Sequence, residues 1–148
     1  MNRPFALIID DTRNASECYL HGEKQKLVDF SGIPEGSWNI VRNYNQFIRY
    51  IKTKGVPHHI SFDNDLCQDH MLLYVEAAKS GNFEWFETQP RMGIHALEWL
   101  LNYCKKNNVD RPTIYINTAN FFARAKMEEM LGRESLPDEK SAGGIIIS

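Results

Sequence analysis

Near its start, this chain has an apolar run that stops abruptly at two aspartates. The run, Phe5 to Ile9, has the length of a β-strand and shows no alternation of apolar and polar side chains. Continuous runs of this kind are typical of strands covered on both faces, as in parallel sheets flanked by helices. Asp10 and Asp11 follow directly, so carboxylates are expected where this strand ends. The run therefore favours an α/β fold.

Strand-like and helix-like segments alternate along the rest of the chain. The β-rich segments predict further strands at Trp38 to Val41, His58 to Phe62 and Thr113 to Ile116, and a weaker one at Gly143 to Ile147. Apolar residues spaced three and four apart predict helices from Asn43 to Gly55, from Gly93 to about Asn108, and from Asn120 to Gly132.

This alternation implies βαβ units and a mostly parallel sheet with right-handed crossovers. We expect one domain over residues 1–148 with a three-layer, flavodoxin-like or receiver-like fold and strand order 2-1-3-4-5. Two segments are too long for ordinary connections, Thr12 to Ser37 and Leu66 to Met92, and are expected to be insertions after strands one and three. Asp69 to Lys79 is a candidate helix within the second insertion.

Composition narrows the classes of function. The formal net charge of −2 argues against stable binding of duplex nucleic acid, but leaves a small nucleotide or an RNA end as partner. Three widely spaced cysteines fit reduced thiols in a cytoplasmic protein, and no stretch is apolar enough to span a membrane. The basic side chains around the first helix, Arg42 among them, are expected to form an ordinary solvated face.

Polar residues follow three of the predicted strands. Because ligands bind at the carboxyl ends of strands in open α/β sheets, these side chains are expected to converge on one site. Carboxylates packed together repel unless they take up protons or bind a cation, and all-oxygen ligands favour Mg²⁺ or Mn²⁺. Acidic pairs after strands also occur as simple turn and cap residues. The converging residues are Asp10, Asp11, Arg13, Asp63, Asp65, Asn117, Thr118 and Asn120.

Four blocks of the sequence carry a family resemblance. They read LIIDDTR, ISFDNDL, GIHALEWL and INTANFFARAKMEEML, and in this order they resemble the signature blocks of the cyclic-phosphate processing receiver-like domains. The resemblance implies a receiver fold used as an enzyme on cyclic phosphates, such as the 2′,3′-cyclic ends of RNA. It implies an acidic pocket of Asp10, Asp11, Asp63 and Asp65, with Arg13, Thr118 and Asn120 contacting phosphate.

The chain departs from the family pattern at three positions. Asn64 and Asn117 stand where the family has histidines, and Cys67 replaces a glycine before the second insertion. The two asparagines remove the obvious acid–base groups that titrate near neutral pH. Catalysis would then use metal and carboxylate, or one of the histidines at 58, 59 and 70.

Three functions are compatible with these residues. The leading one is a phosphoesterase that uses Mg²⁺ or Mn²⁺ and acts on an RNA cyclic end or a cyclic nucleotide. Asp10, Asp11 and Asp63 would hold the metal, Asp63 and Asp65 would act in catalysis, and Arg13, Thr118 and Asn120 would bind phosphate. The alternatives are a binding module for nucleotide or protein that keeps a relic acidic pocket, and a receiver in which Asp63 accepts a phosphoryl group.

Overall fold

The computed structural model describes residues 3–20 and 24–133. The strands within this part of the chain are β1 (Ala6–Ile9), β2 (Tyr19–Leu20), β3 (Gln25–Lys26), β4 (Trp38–Val41), β5 (His59–Phe62) and β6 (Thr113–Ile116). The α-helices are α1 (Leu27–Ser31), α2 (Tyr44–Lys54), α3 (Gln68–Ser80), α4 (Gly93–Asn107) and α5 (Phe121–Met130).

Four of these strands form a parallel sheet in the order β4-β1-β5-β6. When these four strands alone are numbered along the chain, the order is 2-1-3-4, as predicted. The expected fifth strand, Gly143 to Ile147, lies outside the described residues. The receiver-like, three-layer α/β class is confirmed by this sheet and by the helices that cover it.

The two faces of the sheet bury different sets of residues. Leu7, Ile9, Ile60 and Phe62 point into a core shared with α2, α4 and α5. Ala6 and Ile8 point the opposite way, into a smaller core closed by the segment that follows β1 and by α1. The alternation explains why β1 is apolar at every position, since both of its faces are covered.

Asparagine side chains start two of the helices, as the sequence predicts. The Asn43 side chain accepts a hydrogen bond from the backbone N–H of Gln46 at the start of α2, and Asn120 accepts one from Ala123 at the start of α5. Each bond satisfies one of the N–H groups that a helix leaves free in its first turn. Both caps stand just beyond a strand end, so they fix where the helix leaves the sheet.

Both insertions contain local structure. The first holds the β2–β3 hairpin and α1, and its apolar residues close the second core. The second holds α3, close to the predicted span of Asp69 to Lys79. Trp85, also in the second insertion, is buried in the main core and packs against His95.

Two buried histidines fasten the second insertion to the domain. His70 accepts the backbone N–H of Leu66 at Nδ1, and its Nε2 lies 2.6 Å from the carbonyl oxygen of Pro90. His95 repeats the arrangement with the N–H of Met92 at Nδ1 and the carbonyl of Phe86 at Nε2. Each ring therefore acts as a neutral crosslink between two backbone segments.

Helices long and apolar enough to cross a membrane are missing from residues 3–20 and 24–133.

Candidate functional site

The strand register brings the predicted site residues together. Ile9 of β1 is level with Phe62 of β5, and Phe62 is level with Ile116 of β6. The next residue along each strand is Asp10, Asp63 and Asn117 respectively. These three side chains therefore stand side by side at the carboxyl edge of the sheet, where ligands bind in open α/β folds.

The carboxylates of Asp10, Asp11 and Asp63 form a compact cluster. One oxygen from each lies within 4.8 Å of the others. Asp10 and Asp63 are buried, whereas Asp11 is partly exposed and opens the cluster to solvent. The arrangement offers oxygen ligands of the kind that hard divalent cations prefer.

Arg13 lies across the cluster and links its members. Its Nε and Nη2 donate to Oδ2 of Asp10 at 2.9 and 2.8 Å, and Nη2 also lies 3.6 Å from Oδ2 of Asp63. The same nitrogen donates to the backbone carbonyl of Asn117 at 3.2 Å. Arg13 thus connects the ends of β1, β5 and β6 and supplies one positive charge among the carboxylates.

Asp10 is the most constrained of the three acids. Its Oδ1 accepts the backbone N–H groups of Thr12 and Arg13, while its Oδ2 accepts the Arg13 guanidinium. The Cys18 thiol lies 3.8 Å from Oδ2, and its pKa is raised to about 12 by burial and then by the Asp10 charge. Asp10 therefore stabilises the backbone of the loop after β1 and also contributes a carboxylate to the cluster.

Asp65 forms a second polar group beside the cluster. Its Oδ1 accepts the side-chain amides of Asn64 and Asn120, each at 3.0 Å. Asn120 therefore uses its oxygen to cap α5 and its nitrogen to hold Asp65. Thr118 Oγ1 accepts the backbone N–H of Asn120 at 3.0 Å, and as a hydroxyl it keeps a proton to donate.

The two asparagines in place of family histidines are fully buried. Asn64 accepts the backbone N–H of Ile94 with Oδ1 and donates through Nδ2 to Asp65 and to the Met92 sulfur. Asn117 donates to the Ser61 hydroxyl at 2.8 Å, and its Oδ1 is buried without a hydrogen-bond partner among the described residues. Asn64 therefore joins the end of β5 to the start of α4.

The electrostatics of the cluster favour neutralisation of the acids. The pKa of Asp63 is raised well above its usual value by burial and by the charge of Asp10, although Arg13 opposes this. Burial, followed by Asp10, raises the pKa of Asp11, and burial raises that of Asp65 against the hydrogen bonds from Asn120 and Asn64. Burial alone would lower the pKa of Arg13, but Asp63 and Asp10 outweigh it and raise that pKa.

Arg42 belongs to the site, contrary to the expectation that it lies on an ordinary solvated face. Its Nη1 donates to the backbone carbonyls of Asp10 and Arg13 at 3.2 and 2.9 Å, and its Nη2 donates to Asn14 Oδ1. Arg42 directly follows β4, the neighbour of β1, so strand adjacency was the signal that could have found it. It clamps the loop that carries Asp10 and Arg13.

The histidines proposed as substitutes are not free to act in the cluster. His58 and His59 lie at the opposite, amino end of β5, and His59 pairs with the Tyr115 hydroxyl. His70 lies near the site, but both of its ring nitrogens bond to backbone groups. The expectation that one of them replaces the family histidines is therefore wrong for the geometry described.

A parallel α/β sheet with acids and an arginine at its strand ends defines a receiver-like domain. The sequence model of one protein family, the cyclic-phosphate processing receiver domain, matches residues 5–133, which is most of the chain. The chain therefore belongs to the family of cyclic-phosphate processing receiver domains. Searches of curated proteins and of solved structures gave no significant match.

Proposed function

We propose that this domain is a metal-dependent phosphoesterase that opens or removes a cyclic phosphate, on an RNA 2′,3′-cyclic end or a cyclic nucleotide. The observation that carries the proposal is the approach of the Asp10, Asp11 and Asp63 oxygens to within 4.8 Å, next to a guanidinium. Membership of the cyclic-phosphate processing family supports the substrate class.

The charges of the cluster fit a divalent cation. When ionised, the three carboxylates carry three negative charges, and Arg13 offsets one of them. Two like charges about 4 Å apart repel by roughly 4 kcal/mol at an effective dielectric near 20, so the remaining charge favours a cation or protons. Oxygen ligands without cysteine or histidine select Mg²⁺ first and Mn²⁺ second.

Asp11 and Asp63 have the carboxylate oxygens best placed to hold the cation. Asp11 reaches solvent, and within the described part of the chain Asp63 accepts only the Asn64 N–H besides its long contact with Arg13. Asp10 completes the cluster, although Arg13 already occupies Oδ2. When bound, the cation would offset phosphate charge and lower the pKa of a coordinated water.

The remaining residues have roles in binding and proton transfer. The Arg13 guanidinium and the Thr118 hydroxyl donate to the non-bridging phosphate oxygens, as charge-assisted donors do in other phosphate sites. Asp63, or Asp65 next to it, accepts the proton of the attacking water. As the new P–O bond forms, the bond to the ring alkoxide breaks, and that alkoxide takes a proton to become a hydroxyl.

A screen of cyclic phosphates tests the proposal. Purified protein would be incubated with Mg²⁺, Mn²⁺ or EDTA and with 2′,3′-cyclic nucleotides, a cyclic-phosphate-ended RNA and 3′,5′-cyclic nucleotides. We expect metal-dependent turnover that falls by at least about a hundredfold in Asp63→Asn. The matched control is Asp110→Asn, an exposed aspartate before β6 at the other end of the sheet.

The second candidate is a binding module without turnover. It is supported by the buried asparagines at positions 64 and 117, because Asn64 is fully engaged in structural hydrogen bonds and neither side chain titrates. In the same screen this function predicts metal or ligand binding that Asp63→Asn weakens, with the cyclic phosphate recovered intact. Full activity of Asp63→Asn would exclude the assigned mechanism.

A further inference from the structure

A pocket of about 710 Å³ lies at the carboxyl side of the sheet, between the start of α2 and the segment that leads into α4. None of the described residues that line it is acidic. Its lining includes the side chains of Asn43, Tyr44, Gln46, Arg49, Gln89 and Arg91.

Both walls of this pocket are connected to the acidic cluster. One wall begins at Asn43, directly after Arg42, whose guanidinium holds the backbone carbonyls of Asp10 and Arg13. The other wall contains Pro90, whose carbonyl accepts from His70. His70 in turn holds the N–H of Leu66, the residue after Asp65. Hydrogen bonds therefore link each wall of the pocket to a loop that carries an acid of the site.

The pocket presents hydrogen-bond donors. Asn43 Oδ1 is occupied by the N–H of Gln46, and Gln46 Oε1 is occupied by the N–H of Arg42. The amide nitrogens of these two side chains have no hydrogen-bond partner within residues 3–20 and 24–133, so they can donate to a ligand. A donor-rich lining with no carboxylate suits an anion.

Two arginines add positive charge to this lining. Neither Arg49 nor Arg91 forms an ion pair with a residue of the described ranges, and Arg91 uses one nitrogen on the Phe86 carbonyl. Burial raises the pKa of the Tyr44 phenol, while the charge of nearby Arg91 lowers it and that of Glu98 raises it. Unpaired guanidinium groups recognise phosphate well because of their planar donor geometry.

We infer that this pocket is a subsite for the phosphate of the nucleotide that precedes the cyclic end. The inference rests on the proposed function and narrows its substrate class to oligonucleotides over free cyclic mononucleotides. The pocket on one side and the acidic cluster on the other would hold successive phosphates of one strand.

Turnover provides the first test. The rates would be compared for a mononucleoside 2′,3′-cyclic phosphate and for a dinucleotide that ends in the same group. We expect kcat/KM about tenfold higher for the dinucleotide, since a charge-assisted contact contributes on this scale. Arg49→Gln and the double variant with Arg91→Gln should remove this advantage and leave the mononucleotide rate unchanged.

Lys52→Gln, in α2 but outside the pocket lining, is the matched control and should keep the preference. Arg49 is exposed, so the single variant Arg49→Gln is expected to keep its fold. It therefore still tests the subsite if the double variant does not fold. Equal kcat/KM values for the two substrates, or a preference that survives both arginine changes, would overturn the subsite.

Binding separates this inference from the proposed function. Affinities would be measured for a mononucleotide and a dinucleotide that carry an open 3′-phosphate, with or without any turnover. Tighter binding of the dinucleotide that depends on Arg49 supports the subsite even if no cyclic phosphate is hydrolysed. Equal affinities reject the subsite even if hydrolysis is found.

Discussion

At the level of single residues, two arginine side chains hold the acidic cluster in place. Arg13 bonds directly to Asp10 and approaches Asp63, whereas Arg42 holds the backbone of the loop from behind. An aspartate pair without these partners would be free to separate. The two arginines therefore keep carboxylates close together that electrostatic repulsion would otherwise push apart.

Replacing Arg42 tests this role. Arg42→Gln removes the hydrogen bonds to two backbone carbonyls and to Asn14, and we expect a loss of about 1–2 kcal/mol in the free energy of unfolding. Because the loop would loosen, Mn²⁺ affinity should fall severalfold while α2 stays folded. Urea denaturation and Mn²⁺ titration measure the two effects.

The control is Lys54→Gln, which changes a charge at the exposed end of α2. Arg42→Lys keeps the charge with a single nitrogen and should recover only part of the metal affinity. Unchanged Mn²⁺ affinity in Arg42→Gln would show that Arg42 does not position the cluster.

At the level of elements, the start of α4 lies directly on the end of β5. The N–H of Gly93 donates to the Asn64 carbonyl, and the N–H of Ile94 donates to the Asn64 side chain. A Cβ on Gly93 would overlap the Asp63 carbonyl oxygen, so glycine is required for this close approach. The helix therefore fixes the backbone on which Asp63 stands.

Gly93→Ala should disturb both the fold and the site. The added methyl must push α4 away from Asp63, and overpacking of this kind costs about 1–3 kcal/mol. We expect a lower midpoint in thermal unfolding and weaker Mn²⁺ binding. Gly36→Ala is the matched control, because a Cβ there meets no atom within 4 Å. Equal effects of the two changes would argue against the packing role of Gly93.

Much of this arrangement was predictable from the sequence. The apolar strands, the caps at Asn43 and Asn120 and the convergence of strand ends follow from local patterns, and the structure contains them. The contact between Gly93 and Asp63 was not predictable, because it depends on how closely two elements pack. The same holds for the bonds from Arg42 to the Asp10 carbonyl and from His70 to the Pro90 carbonyl, because these partners are distant in sequence.

At the level of the whole molecule, the acidic cluster is expected to lower the stability of the metal-free protein near neutral pH. A group whose pKa is raised on folding stabilises the fold fully below its unfolded pKa, and this contribution is lost as pH rises through the folded pKa. Asp63 is such a group, with a pKa raised well above the ordinary 3.8. Its ionisation therefore opposes folding progressively as pH rises above about 4.

Asp63→Asn should accordingly stabilise the metal-free protein at pH 8 more than at pH 5. The expected gain at pH 8 is on the order of 1 kcal/mol or more, or roughly 3 °C in Tm for a domain of this size. Mg²⁺ should raise the Tm of the unmodified protein at pH 8 and have little effect on the variant. Thermal unfolding in EDTA and in Mg²⁺ measures both, and a gap between the proteins that does not change with pH would contradict this charge balance.

We propose that the strand ends of this receiver-like domain form one divalent-metal site. Titration with Mn²⁺, followed by calorimetry or by electron paramagnetic resonance, tests it most directly. We predict one Mn²⁺ bound per chain, weakened at least about tenfold in Asp63→Asn and unchanged in Asp110→Asn. Absence of stoichiometric Mn²⁺ binding, or equal binding by the Asp63→Asn variant, would contradict the claim.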